Sequence, residues 1–217
     1  MNKKLLISGI ANLMFILGSQ FSQAESSTKI LKLNEPRYKW AEVPVEFNYP
    51  SNGSKPFPVI ISIHGSTQDG KKFTGGVGKT DVYTTRLIEA GLQRGYAVIA
   101  IDAFYGKKIK PNDKRKFPDA NRYARSIRDT LFNYPDLDSR RVFLTGFSYG
   151  GHSVLDELYS ESSASSWTAL AAAEPDCNIF PEPYGLKTPL LISKGEVSHY
   201  PPKPCQILGN LFNDEGS

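Results

Sequence analysis

Several short runs of the chain are mainly apolar. Pro58-Val59-Ile60-Ile61-Ser62-Ile63 is one, Tyr96-Ala97-Val98-Ile99-Ala100-Ile101 a second and Arg141-Val142-Phe143-Leu144-Thr145 a third. Leu170-Ala171-Ala172-Ala173 and Pro189-Leu190-Leu191-Ile192-Ser193 are shorter. Runs of this length, rich in β-branched residues, predict strands covered on both faces. Val43 to Tyr49 instead alternates apolar and polar, which predicts an edge or half-buried strand. Residues 25–37 read as a polar lead-in.

Helical spacing falls between the strands. Asp81 is placed to cap a helix running to Arg94, with Val82, Leu87, Ile88 and Leu92 on its apolar side and Gly95 closing it. Asp119 to Asn133 predicts a second helix, with Tyr123, Ile127, Leu131 and Phe132 on one side. A third begins just past Ser148 and a last one covers Gln206 to Phe212. Alternating helices and apolar strands predict an α/β fold: a mostly parallel sheet with helices on both faces. Ligands in such sheets bind beyond the carboxyl ends of the strands. His64, Gly65, Asp102, Ser148 and Glu196 fall at that edge.

The amino terminus has a different pattern. Met1-Asn2-Lys3-Lys4 is basic, Leu5 to Gly18 is mostly apolar, and Ser22-Gln23-Ala24 supplies small residues at a cleavage site. That order predicts a signal peptide over 1–24, cut after Ala24, and a secreted or periplasmic domain over 25–217. The apolar run is shorter than the roughly 20 residues a membrane span needs. An uncleaved anchor is the alternative. No later segment is apolar enough to span a bilayer. Removing 1–24 takes away Lys3 and Lys4 and no acid, lowering the formal charge from +4 by two. The remaining charge gives no reason to expect nucleic acid as a partner. Export permits the two cysteines, Cys177 and Cys205, to pair; two unpaired thiols are the alternative.

The chemistry concentrates in Gly146-Phe147-Ser148-Tyr149-Gly150. A Gly-x-Ser-x-Gly pentad alone is a weak signal. Here it directly follows a predicted strand and precedes a predicted helix, the setting of a nucleophile elbow. Ser148 is the candidate nucleophile. The backbone N–H of Tyr149, with that of Ser66 or Gly65 from the first strand's loop, would form the oxyanion hole. Gly78-Lys79-Thr80 lacks the spacing and preceding strand of a phosphate-binding loop. Lys107-Lys108-Ile109-Lys110 and Lys114-Arg115-Lys116 read as a solvated loop, or as attraction for an anionic substrate or envelope surface.

Three segments together resemble the exported branch of the dienelactone hydrolase family, within the α/β-hydrolase superfamily. They are Val59 to Gly65, Gly95 to Asp102, and Asp138 to Gly151. Cys177, Pro189 to Glu196 and Pro201 to Cys205 add to the likeness, which covers roughly residues 45–210. The resemblance implies a nucleophile–acid–histidine triad acting on small carboxylic esters or lactones, with no metal or organic cofactor. It leaves the oligomeric state open.

This sequence departs from that pattern at two places. Ser198 stands where the family has its acid, so Glu196 is the candidate acid. The family histidine follows one more strand, and Ser217 comes before it. The last strand and helix are therefore expected to be missing, with Asn213 to Ser217 reading as the start of a loop. Of the histidines present, His199 is the candidate base. His64 reads as structural, and His152 lies on the elbow's own helix, where a base would not face the serine. Two descriptions stay open: an impaired or truncated hydrolase, and a catalytically inactive hydrolase-fold binding protein.

Overall fold

The structure is a computed structural model that describes residues 24–67, 82–110, 112–159, 166–178 and 188–214. Residues 1–23, on which the expected signal peptide falls, most of the 65–80 loop and the final residues 215–217 lie outside that set. The described strands are β1 (Glu25–Leu33), β2 (Ala41–Tyr49), β3 (Phe57–Ile63), β4 (Ala97–Ile101), β5 (Leu137–Phe147), β6 (Ala169–Ala173) and β7 (Leu190–Ser193). The helices are α1 (Val82–Gln93), α2 (Ala120–Arg128), α3 (Tyr149–Leu155) and α4 (Lys203–Asp214).

One seven-stranded sheet orders them β1-β2-β4-β3-β5-β6-β7. β1 pairs antiparallel with β2, and β2 antiparallel with β4. Every other pairing is parallel. β4 is buried throughout, and the apolar runs of β3 and of β5 from Val142 onward are buried or half-buried at every position. Val59, Ile61, Ile63, Ile101 and Leu144 are each fully enclosed. Ile61 sits level with Ile99 on one side and Leu144 on the other, so the three strands present one layer to each face.

Three local expectations change. The polar lead-in contains a nine-residue strand, β1, of which only Leu33 is buried. Its backbone pairing along the whole of β2, rather than a buried face, holds it. Because β1 covers it, β2 is an interior strand, with residues 43–48 all buried. The predicted 119–133 helix divides. α2 ends at Arg128, and a separate 3-10 turn covers Leu131–Asn133. Leu131 is buried there, but Phe132 is 73% exposed.

Candidate active site

β5 delivers Phe147 at its end, and α3 starts at Tyr149, leaving Ser148 alone to make the turn. Its backbone has φ 52° and ψ −107°. A side-chain-bearing residue held there costs on the order of 1–3 kcal/mol, and persists only where its surroundings fix it. Two hydrogen bonds do so. The Ser148 N–H donates to the Ala173 carbonyl at the end of β6, 2.8 Å away, and the His152 N–H donates to the Ser148 carbonyl at 2.9 Å. Close backbone approach does the rest. A Cβ on Gly150 would lie 2.1 Å from the Ile63 oxygen, and one on Gly146 2.3 Å from the Gly150 carbonyl carbon. The glycines of the pentad are thus required by space.

Tyr149 anchors the helix start. Its ring is buried against His64, Phe104 and Phe117, with centroids 4.9–5.7 Å apart. Its hydroxyl donates to the Pro118 carbonyl at 2.7 Å. Burial pushes that phenol well above its ordinary pKa, so it stays a donor. The Tyr149 N–H belongs to the first turn of α3 and has no intrahelical acceptor.

A cleft of about 270 Å³ opens over the elbow. Ser148, Tyr149 and Ser66 line it together. Gly65 packs behind them: a Cβ there would lie 2.9 Å from Phe147. The same cleft is lined by Arg37, Lys114 and His152, and by Asp119, Asp156 and Asp176. Its charge is therefore mixed. A hydrogen bond with Tyr200 holds the Lys114 ammonium above its ordinary pKa, and Asp176, 3.6 Å away, adds to this. Burial raises the Asp156 carboxyl, with the His152 charge opposing it.

The three histidines have separate positions. His64 is fully buried, and both ring nitrogens engage the backbone. Nε2 accepts from the Ala103 N–H at 3.0 Å, so Nδ1 is the donor to the Gly65 carbonyl at 2.7 Å. Its ring braces the loop that carries Ser66. His152 lines the cleft, but Nδ1 faces the Asp176 carbonyl at 3.4 Å and Nε2 faces Asp156 at 3.9 Å. His199 is exposed on the loop after β7, its ring 4.8 Å from that of Tyr200, which lines the cleft. Glu196 is also exposed.

The carboxylate that does meet the β7 loop is Glu174, which the sequence reading passed over. Glu174 is the first residue after β6, and its backbone is also left-handed, at φ 51°. Its carboxylate accepts from Ser198 Oγ at 2.5 Å and from the Gly195 N–H at 2.6 Å. The signal was present: Glu174 follows a predicted strand at the carboxyl edge of the sheet, where site residues gather.

Cys177 and Cys205 are joined in a disulfide that ties α4 to the segment following β6. The bridge closes a separation of 28 residues, which the chain-entropy account values at about 3–4 kcal/mol. Urea unfolding of Cys177→Ser with Cys205→Ser should show a loss of that size. An unchanged midpoint would make the bridge energetically idle. Among the described residues, no three of His, Cys, Asp and Glu come together as a metal-holding group, and no helix is long and apolar enough to cross a membrane.

The strand order and parallel core, with the strained serine turn between β5 and α3, define an α/β-hydrolase fold. The family model described as BD-FAE matches residues 45–166, more than half of the chain, and the chain belongs to that α/β-hydrolase family. Solved structures of similar fold include Thermogutta terrifontis esterase 2, at 16% identity and TM-score 0.63, covering 88% of this chain and 80% of that one. A dienelactone hydrolase-like promiscuous phosphotriesterase from metagenomic libraries has 15% identity and TM-score 0.60, over 88% and 78% of the two chains. Pyrococcus horikoshii acylaminoacyl peptidase has 14% identity and TM-score 0.60, over 91% of this chain but 36% of its own length. No curated protein sequence matches the chain.

Proposed function

We propose that this chain is an exported serine hydrolase that cleaves small carboxylic esters or lactones with Ser148 as nucleophile. The observation that carries the reading is the strained turn, which presents Ser148 to a cleft shared with Tyr149 and Ser66. The Ser148 hydroxyl loses its proton to an imidazole as its oxygen attacks the substrate carbonyl. The carbonyl oxygen becomes an oxyanion, received by the N–H groups of Tyr149 and Ser66. Collapse expels the alcohol, which takes the imidazole's proton and leaves an acyl-serine. Water then releases the acid by the same steps.

His199 is the proposed base. Both nitrogens of His152 are turned toward Asp176 and Asp156, whereas His199 is an exposed ring beside the cleft-lining Tyr200. The basic, apolar and small-residue order of 1–24 supports export, and the mixed charge of the cleft fits a small polar ester.

The test is a fluorophosphonate probe on the mature chain. The choice has a precedent in the similar Thermogutta terrifontis esterase 2, which is phosphorylated by paraoxon. Stoichiometric labelling is expected, with none in Ser148→Ala; equal labelling of both would remove Ser148 from the reaction. A second reading, a binding protein that does not turn over, is favoured by one observation. Among the described residues the Ser148 hydroxyl has no hydrogen-bond partner, and no imidazole stands against it. Ser148-dependent hydrolysis of a short-chain aryl ester would exclude that reading.

A further inference from the structure

Position 198 holds a hydroxyl where the resemblance leads one to expect a carboxylate, yet a carboxylate touches that hydroxyl from the neighbouring strand. We propose that Glu174, at the end of β6, supplies the site's acid in place of the one absent at 198, acting as a positioning residue through His199. The inference rests on the proposed hydrolase function.

The segment bearing Glu174 is fixed on both sides. On the elbow side, Ala173 accepts the Ser148 N–H, and Asp176 offers its carbonyl toward His152. On the β7 side, the Glu174 N–H donates to the Ser193 carbonyl at 2.8 Å, and Lys194 Nζ donates to the Pro175 carbonyl at 2.8 Å. The carboxylate then takes hydrogen bonds from Gly195 and Ser198, the residues that begin and end the tight turn before His199. No substitution at Gly195 is free of this contact, because a Cβ there would lie 3.1 Å from the carboxylate oxygen. Desolvation works to raise the Glu174 pKa. The hydrogen bonds from Ser198 and Gly195 and the Lys194 charge, 3.6 Å away, more than offset it and leave the carboxyl below its ordinary range. The ionised carboxylate thus holds Ser198, the residue that precedes the proposed base in the chain, and so sets an anion in the loop that carries His199.

The arrangement also accounts for the positive φ of Glu174. An L residue is held in a costly conformation directly after the carbonyl that fixes the nucleophile. That backbone turns its side chain toward the β7 loop instead of continuing the strand.

The experiment measures short-chain aryl ester hydrolysis by the full mature chain, with melting temperatures alongside. Glu174→Gln should lower kcat by about 100-fold or more with KM nearly unchanged. It should also move the acid limb of the kcat/KM profile to lower pH by about one unit, because the base loses its neighbouring anion. Adding Ser198→Asp to Glu174→Gln puts a carboxylate back from the β7 side and should recover at least tenfold. A purely structural role for Glu174 would move neither the pH limb nor the rescue. Glu174→Gln within threefold of the parent overturns the proposal, as does a folded Glu174→Gln that Ser198→Asp does not rescue. If Glu174→Gln does not fold, the exchange of Glu174→Ser with Ser198→Glu decides: more than a tenth of parental activity supports the proposal, and less overturns it. A parent chain without Ser148-dependent turnover defeats the hydrolase reading itself, before residue 174 is touched.

Discussion

Gly150→Ala should destabilise the protein by about 4 kcal/mol or more and abolish labelling of Ser148. The added methyl would be built 2.1 Å from the Ile63 carbonyl oxygen and 2.8 Å from that of His64. Both are backbone atoms at the end of the most central strand, and neither can swing aside as a side-chain tip would. β3 would have to separate from α3, and that contact sets the serine turn. For a domain of this size, a loss of that order lowers the melting temperature by roughly 10 °C. Gly209→Ala is the control. It lies in α4 with nothing within 4 Å of its Cβ, so replacement should be neutral or stabilise by up to about 1 kcal/mol. Thermal melts of the two variants check the contrast. Equal melting temperatures would mean that the elbow tolerates a Cβ.

Glu157→Ala is expected to cost about 3–5 kcal/mol. Glu157 is fully buried just beyond α3. Its carboxylate accepts from Asn121 Nδ2 at 3.0 Å and from Trp167 Nε1 at 2.7 Å, and lies 3.6 Å from Arg125. One side chain thus joins α2, the end of the elbow helix and the approach to β6. Removing it strands an indole N–H and an amide inside the protein, and leaves a partly buried guanidinium without its anion. Glu157→Gln keeps the side chain's volume but only one acceptor oxygen, so it retains one of the two accepted hydrogen bonds and should cost less than Glu157→Ala. Urea unfolding of both variants measures the difference, and equal losses would assign the effect to the carboxylate itself and none of it to packing.

Strands whose burial is two-sided were legible because burial on both faces leaves a continuous apolar run, and β3, β4 and β5 each have one. The elbow was legible because its glycines answer a local demand for space. β1 was not, since it buries almost nothing and is held by backbone pairing to residues 8 to 24 positions away, from Leu33↔Ala41 to Glu25↔Tyr49. Phe132 was misplaced because α2 closes one turn early, and a periodic pattern does not mark where the backbone tightens. Glu174 escaped for a different reason. The acid was sought along the chain after β7, by spacing. A carboxylate that reaches the same loop from the adjacent strand has a sequence position unrelated to that spacing. Only the parallel register of β6 with β7, Ala173 opposite Ser193, brings the two together.

The serine turn is assembled from three distant stretches: Ile63, the 146–150 pentad and Ala173. No two of them are neighbours in the chain, so the left-handed conformation of Ser148 depends on distant strands as well as on its local bond to His152. The turn has all its contacts only when β3, β5 and β6 are paired. On the proposed function, the chemistry of Ser148 is silent until the centre of the sheet is complete.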